Sequence, residues 1–137
     1  MAIFAATDYV ITLNAVNMST MITAVSLDVE ADTLDITAFG ATSAFRTFIA
    51  GLKKGDFPAI FNDDFAASQA DALLWPLLGT VITFDIRSTS AAVSATNPRY
   101  TGSVLVSKLQ PISAKIGDLV TVSVSWPTTG AVLRQTT

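Results

Sequence analysis

Leu119-Val-Thr-Val-Ser-Val-Ser-Trp126 decides the fold class. Val120, Val122, Val124 and Trp126 fall on one side of an extended chain, and Thr121, Ser123 and Ser125 on the other. A two-residue period is what a strand with one buried and one solvated face requires. Upstream, residues 80–87 alternate in the same way and residues 100–109 read as the next strand. Downstream, after a Pro127-to-Gly130 turn, residues 131–135 return as a last strand, predicted to form a hairpin with the one before. Residues 88–97 are small and polar, closed by Pro98, and read as the flexible segment of this half.

In the N-terminal half, residues 9–15 and 20–31 read as the first two strands, and residues 55–61 as another. Pro58 lies in the last of these and belongs at an edge or a strand start, because it cannot donate to a ladder. Residues 64–74 give the one helix. Asp63 or Asp64 caps it, Phe65, Gln69, Ala72, Leu73 and Pro76 mark its inward stripe, and Pro76 ends it. Six or seven strands with one short flanking helix make the chain mainly β. The pattern fits a single domain, residues 1–137, built as an antiparallel β-sandwich or partly closed barrel with a short N-terminal arm (residues 1–8).

Half of the 137 residues are apolar and 14% are charged, with a mean hydropathy of +0.52. No run approaches the roughly 18 apolar residues of a membrane helix, and the N-terminus lacks the basic segment of a secretory signal. Such apolarity in a small domain implies either an unusually large core or apolar surface buried against other subunits. Cysteine and histidine are both absent, which excludes disulfides, thiolate chemistry, Cys/His zinc sites and histidine-based triads. A Ser nucleophile would need a Lys base, and no such motif is present. Gly-Leu-Lys-Lys-Gly (residues 51–55) lacks the spacing of a phosphate-binding loop. With a net charge of −3 there is no basic cluster for gripping nucleic acid. Neither a metal, a cofactor nor an enzymatic activity is expected.

Two stretches remain unaccounted for by core packing. Asp28, Glu30 and Asp32 alternate with Leu27, Val29 and Ala31, so an extended chain lines one face with carboxylates. The simplest reading is a half-solvated strand; the sharper one is an anionic surface. A calcium loop is a third and weaker reading, because the glycine and terminal glutamate of an EF-hand are missing. Residues 40–55, bounded by Gly40, Gly51 and Gly55, hold Phe45, Phe48, Ile49 and Leu52 together with Arg46, Lys53 and Lys54. That composition suits a connection that packs against something. Within it, residues 42–50 read as either a short helix or an extended stacking loop.

Several motifs occur in an order that resembles the tail tube (major tail) proteins of long-tailed bacteriophages. They are Asp35-Ile-Thr-Ala-Phe-Gly40, Gly51-Leu-Lys-Lys-Gly55, Leu77-Leu-Gly-Thr80, Pro98-Arg-Tyr-Thr-Gly102, Gly117-Asp-Leu-Val120 and Gly130-Ala-Val-Leu-Arg134. The resemblance covers residues 20–137. It implies a structural virion protein of the tail, assembled in the host cytoplasm, whose β-sandwich subunits form rings, typically hexameric, stacked into a tube for DNA ejection. The implied partners are further copies of itself, tape measure protein and tail tip or terminator proteins, with DNA passing transiently and without sequence specificity and no membrane. A tube lumen of this kind is commonly anionic, and Asp28, Glu30, Asp32 and Asp85 are the candidates for its wall. Phe45, Arg46, Phe48, Lys53 and Lys54 are the candidates for contacts between subunits or rings. Alternatives of other classes are a capsid decoration protein, a bacterial secretion-system tube subunit and a carbohydrate-binding sandwich.

Overall fold

The alternation seen in the sequence sorts side chains between two facing sheets. The computed structural model describes residues 3, 5–40, 44–65 and 70–137. Nine strands are found among them: β1 (Val10–Leu13), β2 (Val16–Asn17), β3 (Ile22–Val25), β4 (Asp28–Asp35), β5 (Phe48–Asn62), β6 (Val81–Arg87), β7 (Arg99–Leu105), β8 (Thr121–Pro127) and β9 (Leu133–Gln135). One sheet has the order β2-β1-β6-β7-β9. In the other, β3 and β4 pair with β5, and so does β8. All pairings are antiparallel. The sheets do not close on one another, so of the two architectures expected the sandwich is the one adopted.

The core lies between the sheets. Ile11, Leu13, Ile82, Phe84, Ile86 and Val104 project from the first sheet, and Phe57, Ala59, Phe61, Val122, Val124 and Trp126 from the second. Trp126 is fully buried. Its indole stacks on Phe57 at 6.3 Å, meets Phe61 at 6.4 Å and donates from Nε1 to the Lys108 carbonyl at 2.9 Å. Gly102 is required by close approach, since a Cβ there would come within 2.9 Å of the Phe84 ring.

Several sequence expectations are corrected. Residues 131–135 do not form a hairpin with β8. After Pro127 the chain crosses to the other sheet, Thr129 N–H donating to the Ser103 carbonyl, and β9 pairs with β7. The positive φ of Gly130 (81°) accommodates that crossing. Residues 20–31 are two strands, broken at Ser26 and Leu27. Pro58 lies inside β5, which is paired on both edges. It is tolerated there because its carbonyl faces the β3–β4 break and accepts the Ser26 N–H. The nitrogen of the same residue points the same way, where no ladder partner is left waiting.

Gly51 and Gly55 do not punctuate a loop; both lie within β5. Gly55 is buried, and a Cβ on it would stand 2.9 Å from Thr128 Oγ1 and 3.1 Å from the Asp28 carbonyl oxygen. The helix does not begin at Asp64: residues 63–65 are irregular, and among the described residues α1 spans Ala70–Leu74 and continues as a 3₁₀ turn, Trp75–Leu77. Residues 66–69, part of the expected span, lie outside the described residues. Leu74 is the buried position, with Leu73 and Leu77 packed beside it, whereas Phe65, Ala72 and Pro76 are exposed. The 88–98 loop is tied down. Asn97 Nδ2 lies within 3.0–3.5 Å of the carbonyls of Thr89, Ala91 and Ala92, and Asp8 accepts from both Ser90 N–H and Oγ. Those bonds hold the Asp8 carboxyl below its usual pKa, the backbone N–H of Ser90 contributing most.

Candidate assembly surface

Of the 15 residues of β5, only the C-terminal part covers the core. The first seven, paired with β4, extend beyond it as an arm. All eight residues of β4 are exposed, as are six of the seven residues 48–54 of β5. Asp35 pairs with Phe48, Glu30 with Lys54 and Asp28 with Asp56. Thus residues 40–55 are not one loop. Residues 48–55 are strand and 44–47 irregular, while 41–43 lie outside the described residues.

The register assigns the arm two faces. Between the pairs Ala31–Lys53 and Thr33–Ala50, β4 has one residue and β5 has two, a bulge that sets Gly51 and Leu52 against Asp32. A Cβ on Gly51 would lie 3.3 Å from that of Asp32, so a glycine there lets the strands close. The extra residue is on β5, and the alternation of β4 is undisturbed. Asp28, Glu30 and Asp32 therefore do share one face. Directly across from Asp28, the register adds Asp56, which the sequence reading missed because it is distant along the chain. This face continues the outward side of β5 and β8, where the remaining positions are Pro58, Ile60, Ser123 and Ser125.

Within the acidic face stands one base. Lys54 Nζ lies 3.1 Å from Glu30 Oε1. Its pKa is raised, first by that hydrogen bond, then by the charges of Glu30, Asp32 and Asp56. Four carboxylates against one ammonium leave the face anionic. Asp85 is not with them. It projects from the outward side of the other sheet, where Arg99 Nη1 stands 3.4 Å away while also holding Gln135.

Toward its tip the arm becomes apolar. Leu34, Ile36, Phe48 and Ile49 are half exposed, Leu52 is 82% exposed, and Phe45 and Phe39 protrude almost without cover. Arg46 does not stand alone here: its Nη1 donates to Asp35 Oδ2 at 2.6 Å. The Asp35 carboxyl is held below its usual pKa, chiefly by Thr37 and then by Arg46. Lys53, of the candidate contact residues, has no carboxylate partner among the described residues. Large apolar side chains exposed on a hairpin with no core of its own mark an interaction surface.

Around α1 the described residues form a small apolar cavity of about 20 Å³, lined by Phe61, Leu74, Trp75, Leu109, Pro111 and Val122 together with Asp63 and Asp71. That is room for one water, not for a substrate. Asp63 Oδ2 is shut off from solvent and has no hydrogen-bond partner among the described residues. Its pKa is raised, mainly by burial and then by the charges of Asp71 and Asp64. A carboxyl with a raised folded-state pKa adds stability below the ordinary aspartate value of about 3.9 and loses it as pH rises through the folded value. Asp63→Asn is therefore expected to raise the melting temperature by a few degrees at pH 7. The gap should close below pH ~4, where both side chains are neutral. Calorimetry across pH 3–8 checks this; a variant less stable at pH 7 contradicts it. Among the described residues no group of three or more acidic side chains is arranged to hold a metal ion.

No family model and no curated protein matches the chain. Solved structures do. The fold is similar to that of a chain in the virion of a native gene transfer agent (GTA) particle, with a TM-score of 0.74 at 12% identity over 97% of this chain and 99% of that one. It is also similar to a chain in the tail of an empty GTA particle with C6 symmetry, with a TM-score of 0.65 at 14% identity, covering 82% and 81%. The fold is thus one found in virion and tail particles. No helix among the described residues is long and apolar enough to cross a membrane.

Proposed function

We propose that this chain is a structural subunit of a phage-type tail tube, assembling as stacked rings, of six copies in this reading, around a channel for DNA. The observation that carries it is the arm, a two-stranded extension exposed on both faces and apolar toward its tip, on a sandwich whose fold recurs in a C6-symmetric tail. An arm of this kind is stabilised by burial against other copies, and it accounts for the high mean hydropathy. No catalytic role is proposed for this chain. Tape measure and terminator proteins remain the proposed partners of the tube's ends, and the virion tail its location.

In this reading the face bearing Asp28, Glu30, Asp32 and Asp56 lines the lumen, where repulsion between carboxylates and phosphates keeps DNA from adhering. Asp85 belongs to another surface. Negative-stain electron microscopy across a concentration series tests the assembly: hollow tubes or stacked rings support it, and dispersed subunits at every concentration oppose it. The lumen is tested by neutralising the four acids with Asn or Gln. Tubes are expected to form while DNA release from particles carrying them falls. Unchanged infectivity would place the acidic face elsewhere.

A further inference from the structure

The chain separates its charges by segment. Residues 36–54 contain three bases, Arg46, Lys53 and Lys54, and no acid; residues 57–84 contain three acids, Asp63, Asp64 and Asp71, and no base. The first segment is the tip of the arm and its β5 strand, the acids of the arm lying on β4. The second carries α1 and the 3₁₀ turn, where Asp63 and Asp71 share an apolar cavity. Asp63 Oδ2 is closed off from solvent there, Asp71 is only partly buried, and Trp75 on the rim is 58% exposed. At the arm tip Phe39 and Phe45 protrude beside Arg46. Asp35 takes a hydrogen bond from Arg46 Nη1, and a guanidinium has five donors.

Building on the tube reading, we infer that the arm tip of one copy docks on the α1 end of a second copy. Phe45 and Phe39 cover Trp75 and the Leu109–Pro111 rim. Arg46, held at one edge by Asp35, turns its remaining donors to the Asp71 carboxyl. Each side supplies what the other lacks: the tip brings aromatic surface and a cation, and the receptor offers an exposed indole and the partly exposed Asp71 carboxylate. Contact between a surface and a different surface of the next copy is heterologous, which suits growth of a stack.

The absence of cysteine makes the test clean. Phe45→Cys and Trp75→Cys change exposed side chains, so both variants should fold. One carries a mass tag; the two are mixed, assembled and treated with a short bismaleimide. A cross-linked heterodimer that forms in tubes and not in dilute subunits is the expected result, with Phe45→Cys and Leu133→Cys, the latter exposed on β9 of the other sheet, giving none. Charge exchange adds a second readout. Arg46→Glu or Asp71→Arg alone should reduce the assembled fraction at least tenfold, and mixing the two should restore it at alternate contacts. Tubes that form without the 45–75 cross-link overturn the docking and leave the tube reading standing. A wild-type protein that forms no tubes or rings overturns the tube reading, and the docking falls with it.

Discussion

A subunit in which residues 37–46 are replaced by Asn-Gly remains folded and no longer elongates. Beyond the Asp35–Phe48 pair of the arm, Ile36 N–H donates to the Thr47 carbonyl, which makes Ile36 and Thr47 the hydrogen-bonded pair that a two-residue type I′ turn can close without disturbing the strands. None of the described residues removed is buried; the sandwich core is untouched, and its melting temperature should shift by only a degree or two. The Arg46–Asp35 pair is lost as well, but both partners are exposed, and such pairs contribute little. Assembly, by contrast, loses Phe39, Phe45 and Arg46 together. Sedimentation and electron microscopy are expected to show monomers or isolated rings where wild type gives tubes. Normal tubes from the shortened chain would mean that the arm tip is not an assembly element.

The largest effect on stability is expected at Trp126. Trp126→Ala removes a fully buried indole packed on Phe57 and Phe61 and leaves a cavity in the middle of the core. Substitutions of this class cost about 3–5 kcal/mol, a large part of the 5–15 kcal/mol typical of a domain. The Lys108 carbonyl also loses its donor, which releases the 107–110 segment from the sheet. Trp126→Phe keeps most of the ring contacts and loses only that hydrogen bond, so it should retain more than half of the stability that the alanine variant loses. Urea denaturation followed by circular dichroism separates the two. A midpoint for Trp126→Ala within error of wild type would show that the core is not centred on this residue.

How much of this was legible beforehand varies by element. β6 and β8 were read almost residue for residue, because a sheet face buried on one side writes its period into the sequence. Of the stripe expected for α1, Leu73 packs against the core while Phe65, Ala72 and Pro76 are exposed, and Leu74 is the buried position, since a helix takes its orientation from what it packs against. The 88–98 loop looked flexible from its small polar residues, yet Asn97 and Asp8 tie it through carbonyls and a serine that no local pattern connects. For the acidic face, the spacing of Asp28, Glu30 and Asp32 was sufficient on one strand. Grouping Asp85 with them was not supported by any period, and Asp56 became visible only through antiparallel register.

By itself the sequence determined the class of the fold, the two-sided strands, the absence of His/Cys chemistry and the surplus of apolar residues that calls for partners. These follow from local period and composition, which need no knowledge of what lies across the sheet. Only the tertiary structure decided that residues 48–62 are one continuous strand, that β9 leaves β8 for the other sheet, and that the glycines at 51 and 55 serve close approach instead of turning. It also decided that Asp28 faces Asp56 while Asp85 sits with Arg99. Each of these depends on pairing between residues far apart in the chain. Such pairing is set by which strands share a core, and no window of neighbouring residues contains it.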